Sequence, residues 1–496
     1  MSIPLLSLRD GLSRRSPDWL RSMPLRPMPT TTKPVTRLNA CLVALLVFLL
    51  PSFVQSWLRP GPPKKRRHLH PTSWLDGLRG VASLIVFIWH ITLFHMGGNW
   101  FLWPYGIQDQ NDQVPSSPIQ LPFIRVIFAG TPMVHVFFVV SGYALSLKPL
   151  KQIRKHDYEG LQRTLASSIF RRGIRLYLPV AALFTIIAIL VGLGGPFAPL
   201  PVERTTVDQL LRDWLNAIIT IVAIGWDSNN QFVNVPFNPH LWTVPLEFFH
   251  SLLLFLVLAG LGRMRVRIRF LLLLGLISFC LRHDRHIAFE FLGGMALAEF
   301  GLVQDEGRER ATPTPEDGDA EDIELVATKS SSSVISITSC LATLFFLANL
   351  VVSLFLMSWP AAAEDQAPIF MTMRLSGGSP RWFAVAAVQL VLAVQQIRIL
   401  QRVFITPLVQ YLGTISFSLY LVHGPVQTVT APYFMPLLWA AVGGIEAAGV
   451  WRRTLVWFFA VIIPLVPVVW IADVFTRTID ANSVAFARWL ESQCET

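Results

Sequence analysis

Arg79 and His90 are the two residues of this chain best spaced for joint chemistry. They stand in WLDGLRGVASLIVFIWHITLFH, Trp74 to His95, eleven positions apart in an otherwise apolar run. At ~100° and ~1.5 Å per residue, a helix sets them within ~20° of a common face and ~16 Å apart along its axis. With a hydrocarbon core of ~30 Å, an arginine at one interface puts the histidine near the midplane. The planar guanidinium fork suits phosphate, and an imidazole takes a proton from a hydroxyl near neutral pH. An ionisable group at that depth is costly and points to function. Spacing alone favours the plainer reading, a core histidine bonded to a neighbouring carbonyl.

Other candidates extend this set. Glu247 lies in WTVPLEFFH with His250 three positions on, nearly on the same side of a helix. A carboxylate inside a membrane helix needs a partner, so Glu247 either orients an imidazole as in a catalytic dyad or binds an arginine. Arg172 and Arg175, in RRGIR, fall near the same interface as Arg79, where a topology signal that snorkels to lipid phosphate would look the same. His423 closes LYLVH at the end of a helix, a supporting position. Ser141, in FFVVSGY, is outside a GxSxG elbow, and no phosphate loop, dinucleotide fingerprint, HExxH or CxxC pattern is present. Four scattered cysteines make neither a disulfide framework nor a zinc motif, so no metal and no tightly bound cofactor are expected.

The elements that must position these residues are membrane helices. The chain has 496 residues, 53% of them hydrophobic and 15% charged, and a mean hydropathy of +0.50, which describes a polytopic membrane protein. Its net charge of +10 comes largely from arginines between apolar runs, so it reads as topology and excludes nucleic-acid binding. Residues 1–73 form a basic disordered arm with an apolar segment at 39–58 that carries Pro51 and either spans or lies in the interface. About ten core helices follow, near 74–95, 131–147, 176–193, 241–261, 268–281, 287–303, 334–357, 382–400, 407–423 and 455–474, with no internal repeat.

A shorter helix is expected near 207–224, and 436–450 is an apolar stretch of interfacial or partly spanning type. With KKRR (Lys64 to Arg67) cytosolic, the basic segment from Lys148 to Arg175 and the run RMRVRIR (263–269) fall on the same side. Trp100, Trp103 and Tyr105 suit an interfacial belt on the other side, whereas RHDRH (282–286) places charge where the rule does not favour it. Residues 304–330 are acidic and read as a disordered cytosolic loop, and 479–496 as a tail.

Six stretches in order resemble one family. LDGLRG with its Arg79-to-His90 spacing, FFVVSGYALS (137–146), RRGIR, LWTVPLEFFHSLLLF (241–255), FLGGMALA (291–298) and YLGTISFSLYLVHGPV (411–426) are similar to the acyltransferase 3 family of integral membrane acyltransferases. The resemblance covers 74–478, and the polar arm and acidic insertion look like its fungal branch. It implies an all-α membrane O-acyltransferase that moves an acyl group, acetyl or another short chain, from acyl-CoA to a hydroxyl of a small metabolite, sugar or lipid. The implied sites are His90 and Glu247 as catalytic residues, and Arg79, Arg172, Arg175 and His423 as substrate-binding ones. Acyl-CoA is the implied co-substrate, membrane lipids are partners, and an endomembrane or the plasma membrane is the implied location. His90 acts there as a general base or carries the acyl group itself. A proton-coupled transporter relaying through Arg79, His90 and Glu247, and a catalytically silent receptor, stay open as alternatives.

Overall fold

The structure is a computed structural model that describes residues 46–58, 69–96, 100–107, 115–194, 206–223, 235, 237–311, 337–362, 366–375 and 378–494. Residues 1–45, most of the acidic segment 304–330 and KKRR thus lie partly or wholly outside the described residues. What is described is helical, with no strand. The helices are α1 (Ser52–Leu58), α2 (Ser73–His95), α3 (Gly130–Arg154), α4 (Tyr158–Gly192), α5 (Val207–Ala223), α6 (Thr243–Leu261), α7 (Val266–Arg282), α8 (His286–Ala311) and α9 (Ile337–Met357). They continue with α10 (Pro368–Arg374), α11 (Gly378–Gln396), α12 (Arg398–Phe404), α13 (Pro407–Ala441), α14 (Val450–Phe475) and α15 (Ala481–Cys494).

Seven of the described spans are long and apolar enough to cross a membrane, nine if the bent pairs α10–α11 and α12–α13 each count as one, and α7 has 17 residues. The chain is therefore a multi-pass integral membrane protein.

Helices α2 and α13 form the central contact, flanked by α3 and α14, while α8 packs on α3 and α11. Small residues make the central crossing possible. A Cβ on Gly80 would lie 2.4 Å from the backbone nitrogen of Gly413, and one on Gly413 would lie 2.4 Å from the carbonyl oxygen of Asp76. In lipid, where apolar burial gives helices little reason to associate, such backbone proximity supplies the packing.

Several expected boundaries shift. Helix α13 does not end at His423 but runs on to Ala441 through three prolines, so the first six residues of the expected partial span belong to it. The basic segment divides between the end of α3 and the first half of α4, which begins at Tyr158, and α8 continues through the first eight residues of the expected acidic loop. Arg269, the last residue of the run RMRVRIR, is not solvated. It is buried in α7, where Glu299 accepts from its Nη2 at 2.8 Å and from Arg154 Nη2 at 2.6 Å.

The charged turn between α7 and α8 is resolved locally: Arg381 Nη2 donates to Asp284 at 2.6 Å, and this guanidinium holds the exposed Asp284 carboxyl below the usual carboxylate range. Trp100 is buried, its indole donating to the Pro115 carbonyl at 3.2 Å beneath the Arg453 guanidinium.

The described part of the segment 39–58 is broken at Pro51 and docks on α14. Asp473 accepts from Ser52 Oγ at 2.6 Å, Tyr411 OH at 2.9 Å and Arg477 Nε at 2.6 Å, while Arg477 also reaches the carbonyls of Phe48 and Leu50.

Candidate active site

His90, on α2, meets His423, on α13, with Nδ1 of the first 2.7 Å from Nε2 of the second. His423 is fully buried, and its own Nδ1 stands 3.1 Å from the carbonyl oxygen of Leu419. A carbonyl only accepts, so His423 Nδ1 carries a hydrogen, and in the neutral ring Nε2 is left with a lone pair. That lone pair accepts from His90 Nδ1–H. The neutral His90 ring is thereby fixed in the tautomer whose lone pair sits on Nε2, and His90 lines a cavity of about 500 Å³.

His240 completes a stack that the sequence did not signal. It lies in the single 3-10 turn Pro239–Trp242 that leads into α6, its ring centroid 3.8 Å from that of His90 and 5.4 Å from that of His423. The turn is pinned to α13: Asn238 Nδ2 donates to the Leu421 carbonyl at 3.1 Å, and Tyr420 OH donates to the His240 carbonyl. Phe237, just before it, has φ of 65°, a conformation costly for an aromatic residue and sustained here by the packing around it. A Cβ on Gly424 would lie 2.5 Å from His240 Cδ2, so only glycine admits this close approach.

The three ring nitrogens fall within 4.8 Å of one another, close enough to raise a shared cation. Three nitrogens ~2.1 Å from a tetrahedral zinc would stand ~3.4 Å apart and converge on one point. Here the rings stack at 14–29° to one another and the nearest nitrogens are joined by a hydrogen bond. Parallel rings aim their lone pairs side by side, an arrangement suited to passing a proton rather than chelation.

The arginines gather toward the basic end. Arg79, Ser141, Glu247 and Tyr420 line a cavity of about 80 Å³ that shares Val134, Phe138 and Tyr420 as walls with the His90 cavity. Beyond it, a cavity of about 210 Å³ is lined by Arg171, Arg172, Arg175 and Arg488. Arg172 donates to Glu247 between the two. Nε of Arg79 and Nε of Arg172 are buried without a hydrogen-bond partner, so donors remain for an anion.

Helix α15 occupies the expected C-terminal tail and builds one wall of this cavity, tied to α4 by Arg171 and Glu491 at 3.1 Å. Glu247 meets an arginine rather than an imidazole, while His250 Nδ1 donates to the Leu246 carbonyl at 2.9 Å. His423, expected at a helix end, lies within α13 and touches His90.

The sequence of an acyltransferase domain family matches this chain over residues 72–474. O-acetyltransferase PaAT-1 of Phomopsis amygdali is 30% identical over 474 residues, 90% of this chain and 88% of that protein. Acyltransferase R4 of a Phoma species is 24% identical over 77% of this chain and 87% of its own length, and acyltransferase clz18 of Cochliobolus lunatus 23% over 75% and 86%. No solved structure matches the chain significantly. These similarities favour group transfer over the carrier and receptor alternatives. With its helical membrane domain and the motifs that build the His90 and arginine cavities, the chain belongs to the acyltransferase 3 family, whose members transfer acyl groups.

Proposed function

We propose that the protein is an O-acyltransferase that uses acyl-CoA, with His90 as the general base. The observation that carries this reading is the hydrogen-bond chain from the Leu419 carbonyl through His423 to His90, which leaves the His90 Nε2 lone pair free beside a cavity. The donor enters from the basic face with its phosphates against Arg172, Arg175 and Arg488, since paired guanidinium contacts suit phosphate oxygens. Its acyl end passes Arg79 and Glu247 toward His90, along cavities that share walls.

His90 Nε2 then takes the proton of an acceptor hydroxyl as the oxygen attacks the thioester carbonyl. The carbon–sulfur bond breaks, and the imidazolium returns the proton to the departing thiolate, giving free CoA and an ester. His423 accepts from His90 Nδ1–H throughout and stabilises the imidazolium.

The test is CoA release from acetyl-CoA by purified protein in nanodiscs. His90→Ala is expected to lower turnover by about 10²–10⁴-fold, the range a positioned general base supplies. Arg79→Ala is expected to weaken acetyl-CoA binding with a smaller effect on turnover at saturation. A folded native protein that neither binds nor cleaves acetyl-CoA would remove the basis of this reading.

A further inference from the structure

The His90 cavity has a second polar station that the mechanism leaves unused. At its end away from the arginines, His135 on α3 presents its ring to the cavity while its Nδ1 stands 2.5 Å from Glu290 Oε1 on α8. The Glu290 side chain is 0% exposed. Two further polar atoms here, Glu290 Oε2 and His286 Nδ1, are buried without a partner, and His286 also lines the cavity. Most of the remaining wall is apolar or aromatic, including Trp89, Leu93, Phe94, Trp242 and Phe383.

A pair buried at this depth is cheapest when it is neutral overall, because an isolated charge in low dielectric is costly. A carboxyl proton on Oε2 would be a buried hydrogen with no partner, which leaves two neutral forms. One is imidazolium with carboxylate, and the other is imidazole accepting at Nδ1 from a protonated carboxyl. In both forms His135 Nε2 bears a hydrogen, so the atom left for the cavity is a donor. A donor anchored by a buried carboxyl, in a largely apolar chamber that also holds a general base, fits a molecule with two oxygens and a hydrophobic frame.

We propose that this end of the cavity is the acceptor site, and that it takes an apolar alcohol carrying a second, hydrogen-bond-accepting oxygen such as a carbonyl or ether. His135 Nε2–H binds that second oxygen, Glu290 holds the ring in place, and the hydroxyl to be acylated is thereby turned toward His90. The assignment names the acceptor class for the acyltransferase reading above and rests on it. It excludes sugars, whose many hydroxyls would go unpaired against the aromatic wall.

The experiment measures binding of three radiolabelled probes to the full chain in nanodiscs, with empty nanodiscs subtracted. The probes are a decalin alcohol bearing a ketone on its far ring, the same alcohol without the ketone, and methyl glucoside. The keto-alcohol is expected to bind native protein at least ~10-fold more tightly than the plain alcohol, with methyl glucoside weakest. His135→Phe should abolish the keto preference, and His135→Gln, which keeps a donor, should restore part of it.

A preference that survives His135→Phe, the absence of any preference in the native chain, or equal binding of methyl glucoside overturns the assignment. CoA release from acetyl-CoA by the native chain separates the two readings. Its absence with the expected probe pattern sinks the transfer chemistry but leaves the pocket assignment, and its presence without the pattern sinks the assignment alone.

Discussion

At the scale of single residues, the site depends on tautomers. His90 is a useful base only if its hydrogen sits on Nδ1, and one neighbour decides this. His423 is fixed by the Leu419 carbonyl and leaves only an acceptor for His90. His423→Leu removes that acceptor and frees the His90 ring. We expect turnover with acetyl-CoA to fall by about 10²-fold or more, with KM for the donor changed less than about threefold, because the arginine cavity is untouched. His423→Gln retains an acceptor oxygen and should recover part of the loss. Equal losses in the two variants, or a loss expressed in KM, would assign His423 to packing or donor binding instead.

Helices carry the same logic one level up. The two histidines meet because α2 and α13 cross at backbone contact, which Gly80 and Gly413 allow. Gly80→Val must push the helices apart, at a cost of about 1–3 kcal/mol from overpacking. It should lower both the melting temperature and turnover, with a larger proportional effect on turnover because the His90–His423 bond stretches with the crossing. A valine variant of native activity would show that the crossing does not set the bond.

Helix α15 plays a comparable part at the basic end, where Arg488 adds to the charge supplied by α4. Arg488→Ala is expected to raise KM for acetyl-CoA by about 5–10-fold and to leave turnover at saturation nearly unchanged, as expected for loss of one charge-assisted phosphate contact. An effect on turnover alone would detach α15 from donor binding.

For the whole molecule, the chain closes on itself near Asp473. That carboxylate joins the N-terminal segment, α13 and α14 through Ser52, Tyr411 and Arg477. Its side chain is 2% exposed, so Asp473→Ala leaves Arg477 without its carboxylate and Ser52 without its cap. The expected cost is about 3 kcal/mol, in the range for removing one partner of a buried pair. Limited proteolysis should then release the segment before residue 69 faster than in native protein, and unchanged cleavage rates would show that Asp473 does not hold it.

Much of this could be read along the chain, because a bilayer makes strict demands on sequence. Backbone groups in lipid must be satisfied within a helix, so long apolar runs with basic ends gave the helical class and most of the spans. The Arg79-to-His90 spacing needed only the pitch of one helix to place both on a common face. The ends were less legible: prolines within α13 did not stop it, since neighbouring helices compensate for the lost backbone bonds.

The partners of these residues were beyond sequence reading, since contacts such as His90 with His423, 333 positions apart, depend on which helices cross. The same holds for His240, delivered by a turn with a strained Phe237, for Glu247 finding Arg172 rather than His250, and for His135 facing Glu290. Periodicity determines which face of a helix is apolar. Only packing decides which other face it meets, and here that decision places a stack of histidines, a cluster of arginines and a buried histidine–carboxyl pair along one set of cavities.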